Sequence, residues 1–136
     1  MKKELGLYVH IPFCVKKCGY CDFLSWCGTS EEKETYVQAL LKEIESYREF
    51  ARGYRVSTVF VGGGTPSVLE AGQMEGVLGN IQEVFELEKK PEITLEMNPG
   101  TVTEEKLQCY KENGVNRLSI GSVSYTHLRA HETGRN

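Results

Sequence analysis

Short apolar segments alternate with amphipathic segments along most of the chain, and this alternation constrains the fold more than any other feature. The strand-like segments span residues 5–11, 56–61, 93–97 and 115–120. Between them, apolar residues recur at helical spacing: Val37, Leu40, Leu41, Ile44, Tyr47 and Ala51, then Met74, Val77, Leu78, Ile81, Val84 and Phe85. Residues 103–113 form a third helical segment. The order βαβαβαβ predicts an α/β fold with a parallel sheet and right-handed crossovers.

Capping signals mark where these helices begin and end. Thr29 and Glu32 have the spacing of a capping box, and Ser67 and Glu70 repeat that spacing ahead of the second helix. Gly114 stands where a glycine ends many helices. We therefore expect the first two helices to begin just after Thr29 and Ser67.

Composition and charge limit the class of protein. The 136 residues are 40% hydrophobic and 26% charged, which is ordinary for one globular domain or part of a larger one. The formal net charge is −3 and no basic stripe is present, so nucleic acid is not an expected partner. The opening segment MKKELGLYVHIPF has no long apolar run, so we expect no export signal, no membrane span and a cytoplasmic location.

Residues able to bind a ligand follow the first three predicted strands. A loop rich in cysteine follows the first strand, GGGTPS follows the second, and Glu96 and Asn98 close the third. In parallel α/β folds the site forms beyond the carboxyl ends of the strands. We therefore expect these three segments to meet at one edge of the sheet.

Three cysteines with C-x3-C-x2-C spacing are the strongest chemical signal in the chain. Thiolates of Cys14, Cys18 and Cys21 can hold three irons of an iron–sulfur cluster and leave one iron open for a ligand. The alternative is a zinc-stabilised α/β binding module in which His10 is the fourth ligand. Cys27 and Cys109 fit neither spacing.

Four segments in order resemble one protein family. They are YVHIPFCVKKCGYCDF at 8–23, GGGTPS at 62–67, ITLEMNPGTVT at 93–103 and NGVNRLSIG at 113–121. Together they resemble the radical S-adenosylmethionine (SAM) proteins, in the branch of the oxygen-independent coproporphyrinogen III oxidases and their relatives, the heme chaperones. The resemblance covers residues 5–121 and implies the N-terminal part of a partial (β/α)6, TIM-like barrel.

The resemblance also implies roles for individual residues. Cys14, Cys18 and Cys21 would bind a 4Fe-4S cluster. The SAM-contacting residues would be Tyr8, Tyr20, Gly63, Gly64, Thr65 and Glu96. The glycines would let the backbone approach the ligand closely, because they carry no side chain. His10 would be structural, and the family mechanism is one-electron reduction of SAM by the cluster.

One departure from the oxidases bears on function. They carry a further cysteine two residues after the third, where this chain has Phe23. The departure favours a heme chaperone that delivers heme to apo-proteins, with the oxidase as the alternative. The complete protein would then interact with heme or a porphyrinogen and with an electron donor. Enzymatic activity stays open for a chain of this length.

The resemblance ends at Gly121. The following residues, SVSYTHLRAHETGRN, show no apolar periodicity, and VSYTHLRAHET resembles a translated transposon-end adapter. We expect residues 1–121 to be the N-terminal part of the radical SAM core domain and residues 122–136 to be an artefactual tail.

Overall fold

The hydrophobic segments of the sequence form a single parallel sheet covered by helices. The structure, a computed structural model, describes residues 2–14 and 27–120. The elements in chain order are β1 (Lys3–Ile11), α1 (Ser30–Ser46), α2 (Arg48–Ala51), β2 (Tyr54–Gly63), a short 3-10 helix (Pro66–Val68), α3 (Ala71–Val84), β3 (Glu86–Met97), α4 (Glu104–Glu112) and β4 (Arg117–Ile120). The strand order is β1-β2-β3-β4, and all neighbours pair in parallel. The predicted α/β fold is confirmed.

The core lies between the sheet and the helices. Alternate residues of each strand point to opposite faces, and one set is buried against the helices: Val9, Ile11, Val59, Val61, Ile93, Leu95 and Met97. Helix α1 packs against α3, and α3 packs against α4. Consecutive crossovers of one hand bring these helices to the same face of the sheet. We call this the covered face, and the opposite side the open face.

The helix caps agree with the sequence in two places and differ in one. Thr29 caps α1 through a reciprocal capping box with Glu32, and Gly114 follows α4 with a φ of 100°. Helix α3, however, begins after Glu70, whose backbone N–H donates to the Gln73 side chain. The expectation of a cap at Ser67 is wrong, because that side chain is buried and hydrogen-bonded to the loop after β3.

Two element boundaries also differ from the sequence reading. The structure breaks the first helix at Tyr47 and continues it as the short α2. Strand β3 begins at Glu86, well before the apolar run at 93–97. The first half of β3 is polar, so the pattern of apolar segments does not predict it. The register of β3 with β2 shifts between Val56 and Thr58.

Candidate functional site

The loop after β2 is hydrogen-bonded to the end of β1, so two of the predicted motifs meet. The backbone N–H of Gly64 donates to the carbonyl of Ile11 at 2.7 Å, and that of Thr65 donates to the carbonyl of Phe13 at 2.6 Å. Cys14, the first predicted cluster ligand, follows directly and is half-buried. The expected meeting of these segments at the carboxyl edge of the sheet is observed for this part of the cysteine loop.

The glycine run makes this close approach possible. A Cβ atom on Gly64 would lie 2.3 Å from the carbonyl oxygen of Phe13, a distance that no side chain tolerates. Gly63 has a φ of 115°, which strains any residue with a side chain. Gly63 is exposed, whereas Gly64 and Thr65 are half-buried. The loop therefore presents backbone to solvent at the edge of the sheet.

Glu96 links the third strand to the same loop. Its Oε1 accepts a hydrogen bond from the backbone N–H of Gly63 at 3.0 Å. Among the described residues this N–H is the one hydrogen-bond donor to the Glu96 carboxylate, so the other oxygen can accept from a ligand. Burial raises the pKa of Glu96 above its ordinary value, while the Gly63 N–H and His10 oppose the rise.

Aromatic side chains line the open face beside these groups. Tyr8 is 58% exposed, and its ring stacks on Phe60 with centroids 5.9 Å apart. The Tyr8 hydroxyl lies 3.2 Å from Nδ1 of His10. Burial, and then the negative charge of Glu96, raises the pKa of Tyr8. Tyr8 therefore belongs to the same group of side chains as Glu96, on the face opposite the core.

Phe60 also belongs to this group of side chains, although the sequence motifs did not predict it. It lies between Val59 and Val61, both buried on the covered face. Strict alternation within the run Val59-Phe60-Val61 therefore places Phe60 on the open face. That alternation was the available signal, and the uniformly apolar character of the strand concealed it.

Several predicted site residues cannot be placed. Cys18, Cys21 and Tyr20, together with Phe23 and the tail 122–136, lie outside the described residues. Their roles stay predictions. Within residues 2–14 and 27–120 no three His, Cys, Asp or Glu side chains converge as a metal site, and two of the three predicted ligands are not in those ranges.

The described residues fit the proposed ligands on chemical grounds. Glu96 offers a carboxylate oxygen to a hydroxyl or ammonium donor, and Gly63 and Gly64 form a loop that no larger residue could adopt. Tyr8 and Phe60 offer an apolar surface suited to a flat ring. Cys14 lies beside the loop and is half-buried.

The parallel sheet places the ends of β1 and β3 and the loop after β2 at one edge. Proteins with a parallel α/β sheet characteristically bind ligands at this edge, beyond the carboxyl ends of the strands. A family model for the Radical SAM superfamily matches residues 8–133, and the chain belongs to this superfamily. The resemblance stated from the sequence is thereby confirmed.

Relatives within the superfamily are similar over nearly the whole chain. The heme chaperone HemW of Escherichia coli (strain K12) is 42% identical over 96% of this chain and 35% of that protein. The mitochondrial radical S-adenosyl methionine domain-containing protein 1 of Danio rerio is 38% identical over 93% of this chain and 29% of that protein. The chain therefore spans about a third of the length of these curated relatives.

A solved structure shares the fold. It is described as coproporphyrinogen III oxidase (HemN) from Escherichia coli, a radical SAM enzyme. The TM-score is 0.83 at 30% identity, over 99% of this chain and 32% of that one. The predicted radical SAM barrel is thereby confirmed over the part that this chain covers. None of the helices in the described part is long and apolar enough to cross a membrane.

Proposed function

We propose that this chain supplies the cluster loop and part of the SAM site of a radical SAM protein of the heme-chaperone type. The observation that carries the proposal is the junction of three strand ends. Gly64 and Thr65 donate to carbonyls just before Cys14, and Gly63 donates to the Glu96 carboxylate. One hydrogen-bonded loop thus connects the first predicted cluster ligand to the predicted acceptor for SAM.

Each residue then has a defined task. Cys14 would bind the cluster together with Cys18 and Cys21, and a reduced 4Fe-4S cluster would supply single electrons when bound. Glu96 would accept a hydrogen bond from a SAM hydroxyl or ammonium group. Tyr8 would pack against SAM, and Phe60 would support the Tyr8 ring from the side.

Burial around the start of the cysteine loop and around Glu96 limits the access of water to the proposed site. The Phe13 side chain is fully buried and packs edge-on against Tyr36, so apolar groups lie directly beneath the start of the cysteine loop. Burial and hydrogen bonding around a cluster tune its reactivity. Half-burial of Glu96 strengthens any hydrogen bond that its carboxylate accepts, because fewer waters compete.

Cluster binding is tested by anaerobic reconstitution of the complete gene product with iron and sulfide. We expect brown protein with iron and sulfide near 4 per chain, and loss of both in Cys14→Ser, Cys18→Ser and Cys21→Ser. Cys109→Ser is the matched control, since Cys109 lies on α4 with its thiol toward the Ala71 carbonyl. Stoichiometric zinc and no bound iron would instead support the zinc module with His10.

Heme delivery by the complete protein is the finer part of the proposal. It rests on the sequence identity of 42% to the heme chaperone HemW and on Phe23, which stands where the oxidases have an additional cysteine. We expect the complete protein to bind heme in a spectroscopic titration and to transfer it to an apo-protein acceptor.

The oxidase remains the second candidate, because the solved structure of matching fold is an oxidase. An anaerobic assay with coproporphyrinogen III, SAM and an electron donor separates the two. Conversion to protoporphyrinogen IX without heme binding would overturn the chaperone proposal. Heme binding without conversion would overturn the oxidase.

The boundary at Gly121 stays a proposal of its own. Resequencing the source DNA across codons 115–136 tests it, and we expect family-like sequence to continue after Gly121. If the SYTHLRAHET codons are genomic, the tail belongs to the protein and the artefact proposal is wrong.

A further inference from the structure

A second set of hydrogen bonds joins the loops after β2 and β3, apart from the bond between Gly63 and Glu96. Ser67 is fully buried, and its hydroxyl accepts from the backbone N–H of Asn98 at 3.0 Å. The Ser67 hydroxyl also lies 2.5 Å from the hydroxyl of Thr101. The Thr101 hydroxyl donates to the carbonyl of Asn98 at 2.9 Å. We call Ser67, Asn98 and Thr101 the loop junction.

Lys106 on α4 also binds to the loop junction. Its ammonium donates to the carbonyl of Ser67 at 2.7 Å and to the carbonyl of Thr101 at 2.9 Å. One side chain therefore holds the backbones of both loops at once. Two hydrogen bonds from a charged donor are stronger than two neutral ones.

Burial of the Lys106 ammonium group is energetically unfavourable for its charged form. Burial lowers the pKa of Lys106 below its ordinary value, although the charges of Glu70 and Glu105 oppose this. Within residues 2–14 and 27–120, no carboxylate lies within ion-pair distance of Lys106. Lys106 is half-buried and donates to two main-chain carbonyls, so its charge contributes little to solubility. Lys111, on the same helix, is exposed and does contribute a surface charge.

The loop junction stands immediately beside the residues that we assign to SAM. Ser67 follows Thr65 by two residues, and Asn98 follows Glu96 by two residues. The loops are thus fixed at two points, one at Gly63 and Glu96 and the other at the junction. We call the segment of Gly63 and Gly64 the glycine loop. Without the loop junction, the Glu96 carboxylate would be free to shift relative to the glycine loop.

We propose that Lys106 is a positioning residue for SAM binding: through the carbonyls of Ser67 and Thr101 it fixes the glycine loop relative to the Glu96 carboxylate. This inference rests on the proposed SAM site. Lys106 touches no predicted ligand atom and acts through the two loops that it joins.

The test compares SAM affinity in the complete, cluster-loaded gene product and its variants by anaerobic equilibrium dialysis. Lys106→Met keeps the apolar stem and removes the three donors. We expect it to weaken SAM binding about tenfold, because both charge-assisted hydrogen bonds that hold the two loops together are lost. Lys111→Met is the matched control and should bind SAM like the wild type, with an unchanged iron content in both variants.

A double variant separates positioning from general destabilisation. If Lys106 acts by placing the Glu96 carboxylate, its removal should matter much less once Glu96→Gln has weakened that contact. We therefore expect the tenfold loss to shrink to about twofold or less in the Glu96→Gln background. An equal loss in both backgrounds, or a lowered melting temperature with unchanged affinity, would overturn the positioning role.

Lys106→Gln covers the case in which Lys106→Met does not fold. It keeps a polar side chain, but it is one atom shorter and uncharged, so it should lose the pair of bonds to the Ser67 and Thr101 carbonyls and also weaken SAM binding. Unchanged affinity in a folded Lys106→Gln protein would overturn the proposal. A wild-type protein that holds its cluster but binds no SAM would instead overturn the proposed SAM site itself, and the positioning role would fall with it.

Discussion

The two faces of the sheet are built from the same strands but carry different kinds of residue. On the covered face Val61 and Leu95 are fully buried beneath the helices. On the open face their chain neighbours, Gly62 and Glu96, meet each other: a Cβ atom on Gly62 would lie 2.8 Å from Glu96 Oε1. Adjacent residues thus divide between the core and the proposed ligand site, because a strand turns successive side chains to opposite sides.

The largest expected effect is on the covered face. Leu95→Ala removes a fully buried side chain and should lower the free energy of unfolding by about 3 kcal/mol, through lost burial and the cavity left behind. Thr58→Ala, at an exposed position of β2, is the control and should change it by less than about 0.5 kcal/mol. Denaturant titration measures both. Equal losses would show that the open face contributes to the core as much as the covered face does.

A substitution on the open face should change ligand binding and leave stability nearly intact. Glu96→Gln keeps the size of the side chain and the bond from Gly63, but it removes the negative charge. We expect SAM affinity to fall about tenfold, or about 1.4 kcal/mol, in the cluster-loaded protein. A variant that lost stability and kept its SAM affinity would contradict the division between the faces.

The same variant should alter the pH dependence of stability. Burial raises the pKa of Glu96 in the folded state, so the folded protein holds this proton more tightly than the unfolded chain does. The resulting stabilisation is present at low pH and is lost as the pH rises through the folded pKa. In Glu96→Gln this decline should be absent, which unfolding curves across the acidic range would reveal.

Within the described part of the chain, one buried polar side-chain atom lacks a hydrogen-bond partner, and it lies on the covered side. Tyr110 on α4 is 2% exposed, and its hydroxyl has no hydrogen-bond partner among the described residues. Tyr110→Phe removes that hydroxyl and should raise the free energy of unfolding by about 1 kcal/mol. A loss of stability would show that the hydroxyl has a partner in the complete protein.

Alkaline pH gives an independent check on Tyr110. Burial raises its pKa from 10.0 to about 12. The unfolded chain therefore releases this proton first, and stability present below the unfolded pKa is lost as the pH rises toward the folded one. Tyr110→Phe should show a smaller decline of stability over this interval than the wild type.

The smallest effect concerns the outer face of α3. Gly79 is exposed, and a Cβ atom built on it meets nothing within 4 Å. Gly79→Ala should stabilise the protein by about 0.5–1 kcal/mol, because alanine loses less backbone entropy in a helix. Gly63→Ala is the opposite case, since a φ of 115° strains alanine, and it should destabilise. Melting temperatures of the two variants should move in opposite directions.

Local patterns predicted much of the fold, and their failures have physical causes. The β-branched run at 56–61 and the capping box at Thr29 and Glu32 act within a few residues, and both agree with the structure. The first half of β3 was missed because its residues are polar. The cap at Ser67 was wrong because a distant loop takes up its hydroxyl, which no local pattern could show.

The candidate site divides in the same way. Cys14, Glu96 and the glycine run were predicted from motifs at strand ends, and Tyr8 from the family resemblance; their binding roles stay predictions. The structure shows that the glycine run approaches the backbone of Phe13 closely. The particular partners were not predictable. Pairing of Val61 with Leu95 in the sheet register brings Gly63 within reach of Glu96.

By itself, the sequence determined the order of the main strands and helices and the edge of the sheet at which the described motifs gather. These follow from residue periodicity and from the geometry of parallel crossovers, which act locally. Only the tertiary structure decided that Lys106 holds Ser67, 39 residues away. Such a bond depends on strand register and loop length together, and a pattern of apolar and polar residues specifies neither to within a hydrogen-bond distance.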